Sequence, residues 1–229
     1  MSDILFNLVS MVRAKVMRTL KPSSSYFLAT RQLQPLSAKF GFDRGTPIDR
    51  FWIDSFIKDQ QKHIKGHVLE ICDDRYASQY KDNITKLDIL DIDTNNKKAT
   101  IYGDLRNLTS VNDSLYDCVI MTHVLGQIDD VPAAAKELAR IIKPGGVLLV
   151  TSASISPTVE HETNVWRFTQ NAMHFLFDKN FSKVDIDSLG NALAGQCFWV
   201  GMSQEELTPE ELAFKDKRFQ CVITVVATK

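Results

Sequence analysis

Short aliphatic runs with no polar alternation recur along the chain, and each ends in polar or acidic residues. His67-Val68-Leu69-Glu70-Ile71, followed by Cys72-Asp73-Asp74, is the first; Tyr116 to His123 and Gly146 to Thr151 repeat the design. Such runs are what strands covered on both faces look like. The stretches between them change period. Asp130 is placed to cap a helix through Ile142, with Val131, Ala134, Ala135, Leu138, Ile141 and Ile142 on one face. Lys143-Pro144-Gly145-Gly146 should stop that helix and turn the chain into a strand over 147–151. Further strands are expected over 84–90, 99–105, 182–189 and 220–227, with a helix from Thr169 to about Asn180. Thr208-Pro209-Glu210-Glu211 reads as a capping box with proline at the first helical position. The alternation predicts an α/β protein built on a largely parallel sheet, with a strand pair at its end.

The region before the first strand is different. Ile4, Leu5, Leu8, Val9, Val12, Val16 and Leu20 recur at helical spacing, and Arg13, Lys15, Arg18 and Lys21 make the rest of the surface basic. This amphipathic helix over 3–20 either packs on its own domain or makes a peripheral contact with an anionic membrane or a protein. Pro22-Ser23-Ser24-Ser25 reads as a linker. Phe40 to Arg50 then gathers two glycines, a proline, two acids and two arginines. A loop of that composition must be held by its own hydrogen bonds or by a ligand. It is either a stapled lid or a functional loop. Phe51 to Ile57 reads as an apolar helix. The expected organisation is an extension over 1–35 and one domain over 36–229. That domain has a lid or entry segment (36–66), a core (67–151) and a C-terminal part (152–229).

Composition narrows the partners. The 229 residues carry a formal net charge of −1 and 44 % hydrophobic side chains, enough for a sizeable core and nothing to steer the protein to nucleic acid. Cys72, Cys118, Cys197 and Cys221 lie in or beside apolar runs without Cys-x-x-Cys spacing, so they read as core thiols of a reducing compartment and not as a metal site. No apolar stretch reaches the roughly 18 residues of a membrane span, and the first residues lack the pattern of a signal peptide. A cytoplasmic protein is the default expectation, one that could lie peripheral to the membrane.

Four strand ends in succession offer Glu70, Asp88, Asp104 and Thr122-His123. Open α/β sheets place ligands at the carboxyl ends of their strands. Asp88 follows Glu70 by 18 positions, near the about-20 spacing of a ribose-binding acid. A carboxylate there can accept two ribose hydroxyl protons. Gly103-Asp104 can accept from an adenine amino group while the glycine lets the ring come close. The turn Cys72-Asp73-Asp74-Arg75 carries acids where a pyrophosphate would need glycines and a helix N-terminus, so a cationic ligand suits it better. The plain alternative is that each of these acids caps a turn.

Val68-Leu69-Glu70-Ile71, Gly103-Asp104-Leu105, Tyr116-Asp117-Cys118-Val119-Ile120 and Leu138 to Val150, with its Lys-Pro-Gly-Gly turn, resemble the class I S-adenosylmethionine-dependent methyltransferases. Pro35 to Arg50, Val165-Trp166-Arg167-Phe168-Thr169 and Leu189 to Ala194 are similar to methyltransferase domains from surface-glycan biosynthesis genes. The resemblance implies a Rossmann-like sheet of seven strands, the last antiparallel, with S-adenosylmethionine as cofactor over strands one to four. By resemblance, Glu70, Cys72 and Asp73 hold the methionine end and Asp88 the ribose, Asp91 being second choice. Asp104 and Leu105 hold the adenine, and Thr122 and His123 line the floor. His123 is then the candidate base for an O-methylation, or else a structural group; His161 is a second base candidate. Arg44, Arg50, Trp166 and Arg167 are the acceptor-side residues for a sugar or other small molecule, although Trp166 also fits a core role. Cys72 stands where the family has glycine, which leaves a catalytically inactive binding partner as the alternative. A nicotinamide-dependent oxidoreductase would need the Gly-x-Gly-x-x-Gly that is missing here.

Overall fold

The computed structural model describes residues 33–158 and 163–229; the expected helix over 3–20, the linker after it and His161 lie outside the described residues. The elements are α1 (Ile48–Asp59), β1 (Gly66–Ile71), β2 (Ile84–Asp91), β3 (Ile101–Tyr102), β4 (Tyr116–Thr122), α2 (Val131–Ile141), β5 (Ile142–Ala153), α3 (Gln170–Phe177), β6 (Lys183–Leu189), α4 (Ala192–Trp199), α5 (Pro209–Ala213) and β7 (Val222–Thr228). The chain divides into two compact units. Of the described residues, one gathers 33–54, Ile155–Pro157 and Leu189–Val222; the other holds Ser55–Ser154, Thr158, 163–188 and Ile223–Lys229.

The second unit carries the sheet, in the order β3-β2-β1-β4-β5-β7-β6. β1 pairs in parallel with β2 and β4, β2 with β3, and β4 with β5. β7 enters antiparallel: Gly145 N–H reaches Lys229 O at 2.9 Å and Ser182 N–H reaches Thr228 O at 2.9 Å. This is the Rossmann-like sheet of seven strands, the last antiparallel, that the resemblance implies. The centre of the sheet is covered because β1, β4 and β5 are mainly apolar; Val68, Leu69, Val119, Ile120, Leu148 and Leu149 are wholly buried. α2 starts where the sequence places it, with the Asp130 carboxylate accepting the Ala133 N–H and Pro132 in the first turn. The strand after it begins five residues early, at Ile142 rather than Val147. Tyr116 pairs with Ile142 and Cys118 with Val147, so Lys143-Pro144-Gly145-Gly146 becomes an irregularity inside β5 instead of a loop.

The first unit answers the question of the loop over 40–50. It is held by its own bonds. Gly41 has φ +88, and a β-carbon on it would lie 2.6 Å from Met202 O, so the turn needs glycine. Gly41 O accepts the amides of Arg44 and Gly45 at 2.8 and 2.9 Å. Arg44, which the resemblance puts on the acceptor side, is 2 % exposed and bound to both oxygens of Glu206, its Nε donating at 2.8 Å. That fork-to-fork geometry leaves the guanidinium holding the loop and turned away from solvent. Thr46 N–H donates to Glu205 at 2.9 Å and Gln204 N–H to Thr46 O at 2.8 Å, so the loop is stapled to the 203–206 turn. α1 begins at Ile48, three residues ahead of expectation, and Trp52 Nε1 donates to Leu212 O at 2.8 Å. α4, which the residue pattern does not announce, is capped by Asn191 accepting the Ala194 N–H at 2.9 Å.

Removing one partner of a buried ion pair leaves an uncompensated charge. Glu206→Ala should therefore lower stability by about 3–5 kcal/mol, read from the midpoint of urea unfolding; a loss below about 1 kcal/mol would show that Arg44 is not a structural staple.

Candidate cofactor site

A cavity of about 440 Å³ opens at the carboxyl ends of β1, β2, β3 and β4, in the size range of small-molecule sites. Its position follows from the strand order. The strand order reverses between β1 and β4, which is the switch point where open α/β sheets bind ligands. Ile71 and Cys72 come from the end of β1, Leu90, Asp91 and Ile92 from β2, and Gly103, Asp104, Leu105 and Arg106 from the turn after β3. Val124, Gln127, Ile128 and Asp129 follow β4, and Thr163 closes the lining. The lining joins aliphatic side chains to polar ones, among them the carboxylates of Asp91, Asp104 and Asp129 and the Arg106 guanidinium.

The turn after β1 is the most constrained part. Cys72 has φ +75, a left-handed conformation that favours glycine and that strains a side chain. Its N–H donates to Leu90 O at 2.9 Å and its carbonyl accepts Asn96 Nδ2 at 2.6 Å. Although part of the residue is solvent-exposed, the thiol is desolvated, and burial, then Asp91, Asp73 and Glu70, push its pKa up to about 11. It is a poor nucleophile there. Glu70 is 2 % exposed and accepts the amides of Tyr76 and Ala77, at 3.0 and 2.7 Å. Its carboxylate thus shapes the turn and does not line the cavity. Asp73 accepts the Arg75 N–H at 3.1 Å within the same turn, and Asp74 pairs with Lys98 at 2.9 Å.

The two β2 acids have different surroundings. Asp88 pairs in register with Leu69, three residues short of the strand end. It is buried. Its Oδ2 lies 2.7 Å from His67 Nε2, 3.1 Å from Lys86 Nζ and 3.2 Å from the Tyr116 hydroxyl that donates to it. Desolvation raises its pKa, but the bonds from His67 and Lys86 outweigh that and leave the carboxyl below its usual range. Asp88 is not in the cavity lining. Asp91 is, at the strand end, with Oδ1 accepting the Asp93 N–H at 2.9 Å and Oδ2 accepting Asn96 Nδ2 at 2.6 Å. Asn96 so ties the Cys72 carbonyl to the Asp91 carboxylate. No residue pattern singles it out.

Asp104 and Leu105 line the cavity as expected, and Arg106 joins them. The Arg106 guanidinium binds both Asp104 oxygens and donates to Asp129 at 2.7 Å. Those bonds hold the Asp104 carboxyl below its usual range. Ile92, 67 % exposed, gives the cavity a free apolar wall. Thr122 ends β4 opposite Thr151. His123 follows in the left-handed region, φ +57, its N–H donating to Thr151 O at 2.8 Å; neither lines the cavity. Val165 and Trp166 donate their amides to Gly126 O at 2.8 and 3.1 Å, which seats the 163–167 stretch on the turn that supplies Gln127. Arg167 donates to Trp166 O at 2.9 Å, and Arg50 lies in the first turn of α1. Among the described residues no cluster of His, Cys, Asp and Glu could hold a metal ion, and no helix is long and apolar enough to cross a membrane.

Burial dominates at Glu70. Its pKa rises from about 4.5 to about 7, desolvation outweighing the two amides while Asp73 and Asp74 add to the rise. The folded chain therefore holds a proton that the unfolded chain releases. That stabilisation is complete below about pH 4.5 and is lost as pH climbs through about 7, by up to about 3 kcal/mol. Unfolding free energy should fall between pH 5 and 8, and Glu70→Gln should flatten that slope; an equal slope in both proteins would contradict the assignment.

Residues 64–198, more than half of the chain, match the family model described as a methyltransferase domain. No curated protein matches the sequence. Among solved structures, an S-adenosylmethionine-dependent methyltransferase of Archaeoglobus fulgidus is similar with a TM-score of 0.57 at 15 % identity, over 84 % of this chain and 100 % of that one. One of Thermotoga maritima aligns with a TM-score of 0.52 at 18 % identity, over 79 % and 93 %. A methyltransferase of Haloferax volcanii solved with the Trm112 methyltransferase activator gives 0.52 at 17 %, also over 79 % and 93 %. The glycine-like backbone at Cys72, the strand-end acid Asp91 and the apolar cavity fit an adenosine carrying a cationic tail. The chain belongs to the methyltransferase-domain family, and its cofactor is S-adenosylmethionine.

Proposed function

We propose that the protein methylates a hydroxyl group of a sugar or similar small acceptor, with the cofactor in the cavity at the ends of β1 to β4. The observation that carries this reading is Asp91, a strand-end carboxylate fixed by Asn96 and facing the cavity. In the bound state Asp91 accepts the two ribose hydroxyls, the role that the residue pattern assigns to Asp88. Ile92 and Leu105 flank the adenine and Asp104 takes its amino group. Glu70 and Asp73 act through the turn that they hold, which carries the Cys72 backbone against the methionine end.

S-adenosylmethionine supplies an electrophilic methyl on a sulfonium. The acceptor oxygen forms a bond to that carbon as the carbon–sulfur bond breaks. The product is S-adenosylhomocysteine, and the hydroxyl proton passes to a base. Such in-line transfer draws most of its rate from positioning. His123, just past β4, is the proposed base. The sugar preference is supported by the exposed Trp166, 43 % accessible, which offers an aromatic face, and by the neighbouring Arg167 as a hydrogen-bond donor. Resemblance to enzymes of surface-glycan genes supports the same class.

The test is incorporation of labelled methyl from S-adenosylmethionine into hydroxyl-bearing sugar acceptors. Asp91→Ala should weaken S-adenosylhomocysteine binding about tenfold or more, since it removes two hydrogen bonds to a charged acceptor. Asp88→Asn should change that affinity less than about twofold while lowering stability. His123→Ala should keep the affinity and lose about a hundredfold in kcat. The reading fails if no acceptor is labelled, or if Asp88 and Asp91 exchange these phenotypes. Cys72→Gly relieves left-handed strain of about 1–2 kcal/mol against an entropy cost of about 0.5–1 kcal/mol. Calorimetry and thermal unfolding should show tighter S-adenosylhomocysteine binding with no loss of stability; weaker binding would mean that the thiol itself contributes.

A further inference from the structure

The loop between α5 and β7, in the first unit, has no part in the site described above. It holds Phe214 and Phe219 in solvent, 64 % and 48 % exposed. Lys215, Lys217 and Arg218 lie between them, all exposed. The loop is not slack. Asp216 N–H donates to Gly190 O at 2.9 Å, Asn191 Nδ2 to Phe214 O at 2.9 Å, and Phe219 N–H to Asp216 O at 2.9 Å. The Asp216 carboxylate accepts the Arg218 N–H at 3.0 Å and its guanidinium at 2.7 Å. The Arg218 guanidinium in turn lies 5.8 Å from the Phe219 ring centre. Leu193, two residues beyond Asn191, adds a third exposed apolar side chain at 40 %.

Folding would ordinarily bury two phenylalanines, so a turn braced to keep them outward points to a surface that receives them. The alternation of ring and cation decides which surface. A standard protein interface buries about 800 Å² per partner around a broad apolar centre. A six-residue turn with charges between its rings offers none. The boundary of an anionic bilayer takes both groups at once, rings at the acyl edge and ammonium or guanidinium groups among the phosphates. Within 214–219 three cations face one acid, Asp216, which is tied to Arg218; Glu210 and Glu211 at the start of α5, Glu211 also accepting the Thr208 N–H at 2.8 Å, are the exposed counter-charges beyond the loop. We propose that the 214–219 loop seats the protein on an anionic lipid bilayer.

The full chain should be sedimented with vesicles of phosphatidylcholine alone and of phosphatidylcholine mixed with phosphatidylglycerol. The parent should partition at least about tenfold more onto the anionic vesicles. Phe214→Ser with Phe219→Ser should lose about tenfold of that binding, and Lys217→Glu a severalfold part of it, with thermal unfolding unchanged. Three outcomes would overturn the proposal. They are equal binding to both vesicle types, parent-like binding by the double variant, or loop-dependent pelleting without lipid, which would assign the loop to a protein contact.

Discussion

The Glu70 carboxylate is buried near the carboxyl end of β1, where it must satisfy its lone pairs inside the protein, and the amides of Tyr76 and Ala77 are its partners. Meeting them bends the chain sharply away from the sheet and drives Cys72 to φ +75. Everything at the site is set by that bend. It brings the Cys72 carbonyl to Asn96, which fixes Asp91, and it places Cys72 and Asp91 at the edge of the cavity beyond the carboxyl ends of β1 to β4. A buried carboxylate that organises backbone in this way is costly without its donors. The site and the stability of the second unit are therefore linked through one side chain.

The strand core was legible because parallel strands buried on both faces write themselves as unbroken apolar runs. The Asp130 and Thr208 caps were legible because a cap needs a particular residue at a particular spacing. The β2 acids show where such reading stops. Asp88 and Asp91 are both acids near a strand end, and residue spacing favours the first. What separates them is register. Asp88 lies opposite Leu69 and meets His67, Lys86 and Tyr116, while Asp91 lies at the rim. The His67 and Tyr116 partners come from other strands, and no local pattern announces them.

Arg44 shows a second limit. An arginine in a Gly- and Pro-rich loop reads as a binding group, yet its partner Glu206 stands 162 positions along the chain. Only the folded first unit brings the pair together, and the pair then makes the loop a structural staple. The turn inside β5 departs from expectation because strand pairing, and not local punctuation, decides it. Lys-Pro-Gly-Gly is ordinary punctuation between a helix and a strand, but here the strand begins before it and absorbs it as a bulge. α4 escaped because its signal is an Asn191 cap followed by a short, almost wholly apolar segment without helical periodicity.

The central claim is that the cofactor lies against Cys72, Asp91 and Asp104 at the carboxyl ends of the parallel strands. Hydrogen–deuterium exchange with and without S-adenosylhomocysteine tests it most directly. The account predicts slower exchange in the segments around 71–77, 91–96, 103–106 and 124–129, with no change around His67 and Asp88. Protection centred on the amino ends of β1 and β2, or none in these four segments at saturating ligand, would contradict it.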